Sequence, residues 1–411
     1  VVDAARFRGP SLGADLAERD FTINSLAVDV RAPDLVIDRH NGLADLAAGI
    51  IRPVSEESIR ADPLRALRAV RQAAELDFAL APETETLIRR DGAALAHVSA
   101  ERVRDELVRL LALPQAAPYL DKLVGLGLLT AVLPELEPLR GVEQSPPHHL
   151  DVLAHSLMTV RALEAVLASL FYATGADTKD ERRTTDDGRR TPDILYPFAG
   201  RLQAHVNRTL GEGRARLVTL KTAALLHDTG KAGARTLEDD GRIRFIGHPR
   251  DGTRLTGQAL RRLRFNRAEV RLGETIVRHH MRPLLLADQG GVSSRAVYRF
   301  FRDTGEAGVE VLLHALADHR ATYPPDSEDD RWPRLVTLTA RMLADYWERG
   351  SERVDPPPLV DGNDLQREFG LQPGPRIGEL LEAVREAQVR GEVRTREEAV
   401  ALVRSLLPAG G

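Results

Sequence analysis

The β-forming signal in this chain is confined to roughly its first 55 residues. Phe21–Val30 (FTINSLAVDV) alternates and carries β-branched residues, and Leu35–Asp38 and Ile50–Val54 are two further short runs. Between them, Asn41-Gly42 is a turn signal. Beyond this segment the texture changes to Leu, Ala, Arg and Glu at helical spacing, so most of the chain must pack helix on helix. Ser58–Leu76 reads as one helix, with Pro63 near its first turn and Leu64, Leu67, Ala74 and Leu76 on an apolar side. Helices are expected again over Ala100–Leu113, Ala117–Leu128 and the whole stretch from Arg201 to Tyr346. Residues 173–193 are polar and nearly free of apolar side chains, which predicts a disordered loop or insertion. Pro356-Pro357-Pro358 marks a linker before a small helical tail, and no internal repeat stands out.

At 411 residues the chain is long enough for about three domains, and 43% hydrophobic with 29% charged residues is ordinary for a globular protein. No run of about 18 purely apolar residues occurs, so no membrane partner is expected. Cysteine is absent, which excludes disulfides, thiolate zinc sites, iron–sulfur clusters and a cysteine nucleophile. Any metal must therefore be held by histidine and carboxylate. The net charge of −4 is not that of a typical nucleic-acid binder, yet only four lysines occur (Lys122, Lys179, Lys221, Lys231) and the positive charge is nearly all guanidinium, which suits phosphates and base edges. The first residue is Val, the start lacks a secretory signal, and the opening reads as if cut in mid-strand. A piece of a longer, cytoplasmic protein is the expectation.

Chemistry concentrates in the middle of the chain. His155 stands in DVLAHSL, His227-Asp228 in LLHDTGK, His248 in Gly247-His248-Pro249, His279-His280 in RHHMRP and Asp318 in LADH. His227 shares a helix face with Leu220 and Ala224, and Asp318 with Val311 and Ala315, so both are expected to point inward. Burying His227 and Asp228 together is costly unless something satisfies them. Gly230 is expected to end the helix and leave the pair at its rim. Histidine with carboxylate and no thiolate suits manganese, nickel, iron, magnesium or zinc; such an ion lowers the pKa of bound water and polarises a phosphoryl oxygen. A lone inward histidine is more often a hydrogen-bonded core residue than a ligand. This ordered set, over roughly residues 140–325, resembles the HD phosphohydrolase superfamily. The resemblance implies metal ligation by His155, His227, Asp228 and Asp318, with His248 and His280 as additional ligands of a wider or two-metal site, and catalytic roles for His227, Asp228 and Lys231. His279 is the weaker candidate, because periodicity does not separate it from His280. Lys231 and Arg282 could contact a phosphate, and Lys231 could equally be a solvated helix-end residue.

A second constellation opens the chain. Asp15–Ala27 (DLAERDFTINSLA), Asp38–Leu46 with Gly49–Arg52, Arg60–Arg71 (RADPLRALRAVR) and Ser99–Leu107 (SAERVRDEL) follow in that order. Asp62 and Arg65 are three apart, which places them on one side of a helix. A carboxylate there could accept from an exocyclic amine while a guanidinium donates to a ring acceptor, so the pair could read the Watson–Crick edge of C or A without a template. An isolated pair of this kind is usually a surface ion pair. The four ordered motifs resemble those of class II tRNA nucleotidyltransferases and bacterial poly(A) polymerases. The resemblance implies that Arg19 and Asp20 organise triphosphate and ribose, that Asn24 lies near the sugar, and that Asp62, Arg65 and Arg68 bind the nucleotide. Ala61 departs from the glutamate usual before the aspartate of the base-reading motif. The family's Gly-Gly loop and Asp-x-Asp metal pair are not in this sequence, and Asp3 could match the third carboxylate of the transferase site. Two-metal phosphoryl transfer needs carboxylates, so on this reading the chain as given is not expected to add nucleotides.

The tail, through Val360–Leu365, Gly370–Gly378 and Gly391–Ala399, resembles the C-terminal domain of bacterial members of that family that carry an HD domain; its glycines and helix starts could bind RNA phosphates or simply pack. The expected fold class is mainly α, with a partial α/β nucleotidyltransferase head over 1–55, a helical nucleotide- and RNA-binding domain over 56–138, a helical HD domain over 139–350 containing the 173–193 insertion, and a small helical RNA-binding domain over 351–411. The implied function is transfer of C and/or A to the 3′ end of tRNA or another RNA, with CTP and ATP as substrates and Mg2+ for transfer. The HD domain would hydrolyse a phosphoester with Mn2+, Ni2+, Fe2+, Mg2+ or Zn2+. The alternatives are a stand-alone HD phosphohydrolase with a remnant nucleotide-binding head, and a non-catalytic RNA-binding protein.

Overall fold

The computed structural model describes residues 7, 9–172, 193–211, 213–324, 327 and 330–407; Asp3 and the stretch 173–192 lie outside the described residues. Helix α1 (Leu12–Ala17), capped by the Ser11 hydroxyl, leads into a 3-10 turn at Thr22–Asn24 and an antiparallel pair, β1 (Leu26–Asp29) and β2 (Ala32–Asp38), with Val28 opposite Val36. The run Phe21–Val30 is therefore only partly a strand. Asp20 turns its beginning aside, accepting from the Phe21 backbone N–H at 2.9 Å and from Asn24 Nδ2 at 3.0 Å. Asn41 does turn the chain, at φ 57°, but into a helix, α2 (Gly42–Ala48), that the turn signal did not reveal. Strand β3 (Ile50–Ile51) pairs in parallel with β4 (Ala79–Leu80), beyond the expected end of strand structure.

The crossover between them is helical, as a parallel pair requires. It is two helices, α3 (Ser58–Ala61) and α4 (Leu64–Leu76), not the single helix Ser58–Leu76. The break is at Asp62, which is extended (φ −146°, ψ 96°) because the ring of Pro63 crowds the helical region for the residue before it. Helices α5 (Pro82–Asp91), α6 (Ala100–Leu111), α7 (Ala117–Gly125) and α8 (Leu128–Val132) follow; Gly127, at φ 73°, divides the expected Ala117–Leu128 helix.

Helix α9 (Val152–Tyr172) is the centre of the second half. Its stretch Val152–Phe171, with mean hydropathy 1.3, is long and apolar enough to cross a membrane, although it holds no unbroken run of about 18 apolar residues. Most of it is buried inside the protein, against α11 (Arg216–Leu226) and α17 (Gly308–Thr322), as befits a core helix. Around it come α10 (Ala199–Asn207), α11 (Arg216–Leu226), α12 (Lys231–Ala234), α13 (His248–Arg262), α14 (Arg267–His279), α15 (Met281–Ala287), α16 (Ser294–Thr304), α17 (Gly308–Thr322) and α18 (Arg331–Glu348). A small hairpin, β5 (Thr236–Leu237) with β6 (Ile243–Arg244), interrupts the expected continuous helical stretch between α12 and α13. One hydrophobic core runs from Phe21 to Leu343, and a second, smaller one, with Val360, Leu365, Leu380 and Val403, lies among the tail helices α19 (Gly362–Phe369), α20 (Pro375–Arg390) and α21 (Arg396–Leu406).

Candidate metal centre and nucleotide cleft

Five elements bring the histidines and aspartates together. His155 lies on α9, His227 and Asp228 follow the end of α11, His248 opens α13, His280 joins α14 to α15, and Asp318 is on α17. All six are buried. Gly230 does not end the preceding helix, which stops at Leu226; Gly230 has φ −73° and starts α12 instead. Its lack of a side chain serves close approach: a Cβ there would stand 2.1 Å from the His248 carbonyl oxygen. His227 and Asp228 are accordingly inside the protein, not at a rim.

Three of the imidazoles are held the same way. Nδ1 of His227 donates to Ala224 O at 2.8 Å, Nδ1 of His248 to Phe245 O at 2.8 Å, and Nδ1 of His280 to Val277 O at 2.7 Å. A carbonyl partner fixes the proton on Nδ1 and leaves the Nε2 lone pair to face the centre, the form a metal requires. His155 Nε2 lies 2.9 Å from Asp318 Oδ1 and 3.6 Å from Asp228 Oδ2. His248 Nε2 lies 3.3 Å from Asp228 Oδ1 and 3.2 Å from His280 Nε2. His227 Nε2 is 3.1 Å from Asp228 Oδ2, yet among the described residues neither it nor either Asp228 oxygen is aligned with a hydrogen-bond partner. Buried imidazole lone pairs and carboxylate oxygens turned toward one another are what a cation would satisfy. The geometry offers two overlapping triads, His155–His227–Asp228 and Asp228–His248–His280, with the ligating atoms of each triad within 4.8 Å of one another and Asp228 common to both. Asp318 touches the first.

Electrostatics keeps these groups in their ligating forms. Burial would raise the carboxyl of Asp228, but the neighbouring His227 and Lys231 outweigh it and hold it well below the usual range. Burial likewise would raise Asp318, against which the His155 hydrogen bond and His227 prevail. Burial lowers His248 and brings His280 down to about 3. His227 is the exception: burial would lower it, and Asp228 turns the balance upward.

A cavity of about 440 Å3 reaches Asp228, His248, His280 and Asp318, and its outer wall carries Arg242 and Arg244 of the hairpin, Phe245 and Arg331. Lys231 lines it too, buried, with Nζ 2.7 Å from Asp228 Oδ2 and 2.6 Å from Gln144 Oε1, so it is not a solvated helix-end residue. Arg282 is absent from this wall; it pairs with Asp303 at 2.9 Å and stacks over Phe300. His279 is half-buried and outside both triads, next to the charges of Arg282 and Asp303. Sequence reasoning did not find Gln144, the hairpin arginines or His314, a fully buried ring on α17 whose centroid is 4.8 Å from that of His227. The four-residue step from His314 to Asp318 was a readable signal for it.

The second group of residues also converges. Arg19, Asp20, Asn24, Asp62, Arg65, Arg68, Gln72 and Arg102 line one cleft of about 510 Å3. Asp62 is not on a shared helix face with Arg65, since it sits in the extended break before α4; it pairs with Arg102 at 2.7 Å. Arg65 is held by backbone carbonyls, donating to Glu18 O at 2.6 Å and Arg19 O at 3.2 Å. Arg68 bridges Asp20 and Glu106, each at 3.1 Å, and Arg71 also reaches Glu106. Burial would raise Asp20, and the hydrogen bonds of Asn24 and Arg68 lower it instead. Arg19 is tied to Asp15 at 2.6 Å. Four guanidiniums and two carboxylates line the cleft, and guanidinium forks suit phosphate oxygens and base edges.

Four stretches of the chain match known families. Residues 3–52 match the poly A polymerase head domain, 77–139 the probable RNA- and SrmB-binding site of polymerase A, 197–323 the HD domain and 354–403 the putative domain 2 of tRNA nucleotidyltransferase. The A-adding tRNA nucleotidyltransferase of Deinococcus radiodurans is 36% identical over 401 residues, covering 96% of this chain and 79% of that one. The CC-adding tRNA nucleotidyltransferase of Geobacter sulfurreducens is 32% identical over 397 residues, covering 97% and 75%. Among solved structures, a CCA-adding enzyme in complex with CTP shares the fold at a TM-score of 0.57 and 18% identity, over 97% of this chain and 73% of that one. The Thermotoga maritima CCA-adding enzyme complexed with tRNA does so at 0.53 and 19%, over 96% and 74%. The chain belongs to the tRNA nucleotidyltransferase and poly(A) polymerase family, among its members that carry an HD domain.

Proposed function

We propose that this protein serves the addition of C and/or A to tRNA 3′ ends, reading the incoming nucleotide in the cleft around Asp62 and Arg65, and that its HD centre is a separate divalent-metal phosphohydrolase. The observation that carries the hydrolase reading is the convergence of six buried side chains, four histidines with Asp228 and Asp318, from five elements. His155, His227, Asp228 and Asp318 would hold one ion, and His248 and His280 would join Asp228 around a second. Such an ion supplies an activated water and polarises the phosphoryl oxygen. Lys231, on the cavity side of Asp228, offers an ammonium to a phosphate oxygen, and Phe245 offers a face to a base. Hydrolysis of a 2′,3′-cyclic phosphate by metal-stripped protein is expected to depend on added Mn2+, Ni2+ or another divalent ion. Asp228→Ala is expected to remove most of the activity, because it removes the carboxylate common to both triads; undiminished turnover would exclude the assignment.

Support for nucleotide reading comes from the way Arg65 is pre-oriented by two carbonyls beside Asp62. C and A each offer an exocyclic amine to a carboxylate and a ring acceptor to a guanidinium, whereas G and U present a carbonyl where the amine should be. Leaving Asp62 against an acceptor costs about 1–3 kcal/mol, so CTP and ATP are expected to bind about tenfold or more tighter than GTP and UTP. Calorimetry with wild type and Arg65→Ala measures this. Equal affinity for all four nucleotides, or selectivity that survives the substitution, would show that these residues do not read the base.

A further inference from the structure

Helix α17 is buried over its whole length and is mostly Val, Leu and Ala. Among its titratable side chains, Glu310, His314 and Asp318 stand at steps of four. Two of them are accounted for. Glu310 receives hydrogen bonds from His205 and Arg216, and Asp318 faces His155. His314 differs: it is fully buried, and among the described residues neither ring nitrogen has a hydrogen-bond partner. Leaving such groups unsatisfied is a standing penalty that an apolar residue of the same shape would not carry. A histidine there is therefore not explained by the packing of α17.

Its neighbours suggest what it does. The His314 ring meets His227 edge to face, with centroids 4.8 Å apart and planes at 65°, and meets His280 the same way at 5.7 Å and 71°. His227 and His280 are themselves 5.3 Å apart at 77°. His227 belongs to one candidate triad and His280 to the other, while His314 belongs to neither. Each ligand ring is pinned on one side by its Nδ1 bond to a carbonyl, which restrains the ring without fixing its plane. The His314 ring is wedged against both of these rings.

We propose that His314 is a positioning residue that sets the planes of His227 and His280 together, coupling the two ion positions through one buried ring. The inference rests on the metal-centre reading above and concerns ion affinity, not substrate chemistry. Partners behind metal-ligating histidines typically change affinity by about 10- to 100-fold when removed.

The test is His314→Leu, close in volume and without ring or nitrogens, with His314→Gln as the second variant should the first not fold. Mn2+ binding by calorimetry on the metal-stripped protein and the melting temperature of the same metal-free protein are read together. The expected result is Mn2+ affinity reduced roughly 10- to 100-fold, with a metal-free melting temperature equal to or above that of wild type. Affinity within about threefold of wild type would overturn the role, whatever the melting temperature. Weaker binding accompanied by a lower metal-free melting temperature would make His314 a packing residue and overturn it as well. Absence of Mn2+ binding by wild type would overturn the metal centre itself and this inference with it.

Discussion

At the scale of single residues, the centre depends as much on what is missing as on what is present. Gly230 has an ordinary helical φ of −73°, so backbone freedom is not the reason for glycine there. At such a φ a glycine-to-alanine change usually stabilises by about 0.4–1 kcal/mol, by narrowing the unfolded ensemble. Here the added Cβ would meet the His248 carbonyl oxygen at 2.1 Å and the Gly252 nitrogen at 2.7 Å, both backbone atoms that cannot swing aside. The sign therefore reverses. Gly230→Ala is expected to destabilise by about 1–3 kcal/mol, the usual cost of overpacking, and to push the start of α13 away with His248. Thermal melting and Mn2+ titration of the variant check this together; a rise in melting temperature with normal metal binding would contradict the close-approach argument.

At the scale of elements, α17 shows how polar groups are carried through an apolar core. Glu310 is fully buried but receives His205 at 3.0 Å and Arg216, which also reaches Glu306 at 2.6 Å. Burial would raise its carboxyl, and these hydrogen bonds outweigh burial, so its pKa lies below the usual 4.5. A carboxyl depressed on folding contributes stability above its unfolded pKa and loses it as pH falls through the folded value. Glu310→Gln leaves His205 facing a neutral amide and Arg216 with Glu306 alone, and is expected to cost about 1–3 kcal/mol at neutral pH. Urea midpoints at pH 7 and at progressively lower pH should show wild type and variant converging below pH 4.5; a constant gap would mean that the charge is not what matters. The same helix shows what the sequence could and could not reveal. Asp318 was legible because its inward position and its order after the histidines both mark it. His314, on the same face, was passed over because it has no place in that order. Elsewhere the convergence of Arg19, Asn24, Asp62 and Arg65 on one cleft was legible from ordered motifs, while the break at Asp62 was not. It follows from the steric demand of Pro63 on its predecessor, which outweighs the tolerance of proline in a first helical turn. The short strands β4, β5 and β6 were missed for a related reason: two residues carry too little alternation to register, and their pairing is decided by what the fold brings alongside.

At the scale of the whole molecule, the tail is a second small core attached by charge. Val360, Leu365, Ile377, Leu380, Val384, Ala399 and Val403 pack among α19, α20 and α21 and do not belong to the main cluster. The junction with α16 is polar: Arg295 pairs with Glu386 at 2.6 Å, Arg299 also reaches Glu386, Arg302 reaches Glu382, and the Tyr298 hydroxyl lies 3.0 Å from Glu382 Oε2. Partly exposed pairs of this kind hold two bodies in register but add little stability each, about 0–1 kcal/mol, and weaken with salt. A core of this size has only a few kcal/mol in hand. Leu380 is 1% exposed at its centre, and truncating such a leucine typically costs about 2–5 kcal/mol. Leu380→Ala is therefore expected to unfold the tail as a local unit while the HD body stays folded. Scanning calorimetry should then show loss of a low-temperature component with the main transition in place, and proteolysis should begin within α20. Mn2+ binding at the centre around Asp228 should be unchanged. A single transition displaced as a whole, or a loss of metal binding, would mean instead that tail and body fold as one cooperative unit through the α16–α20 contact.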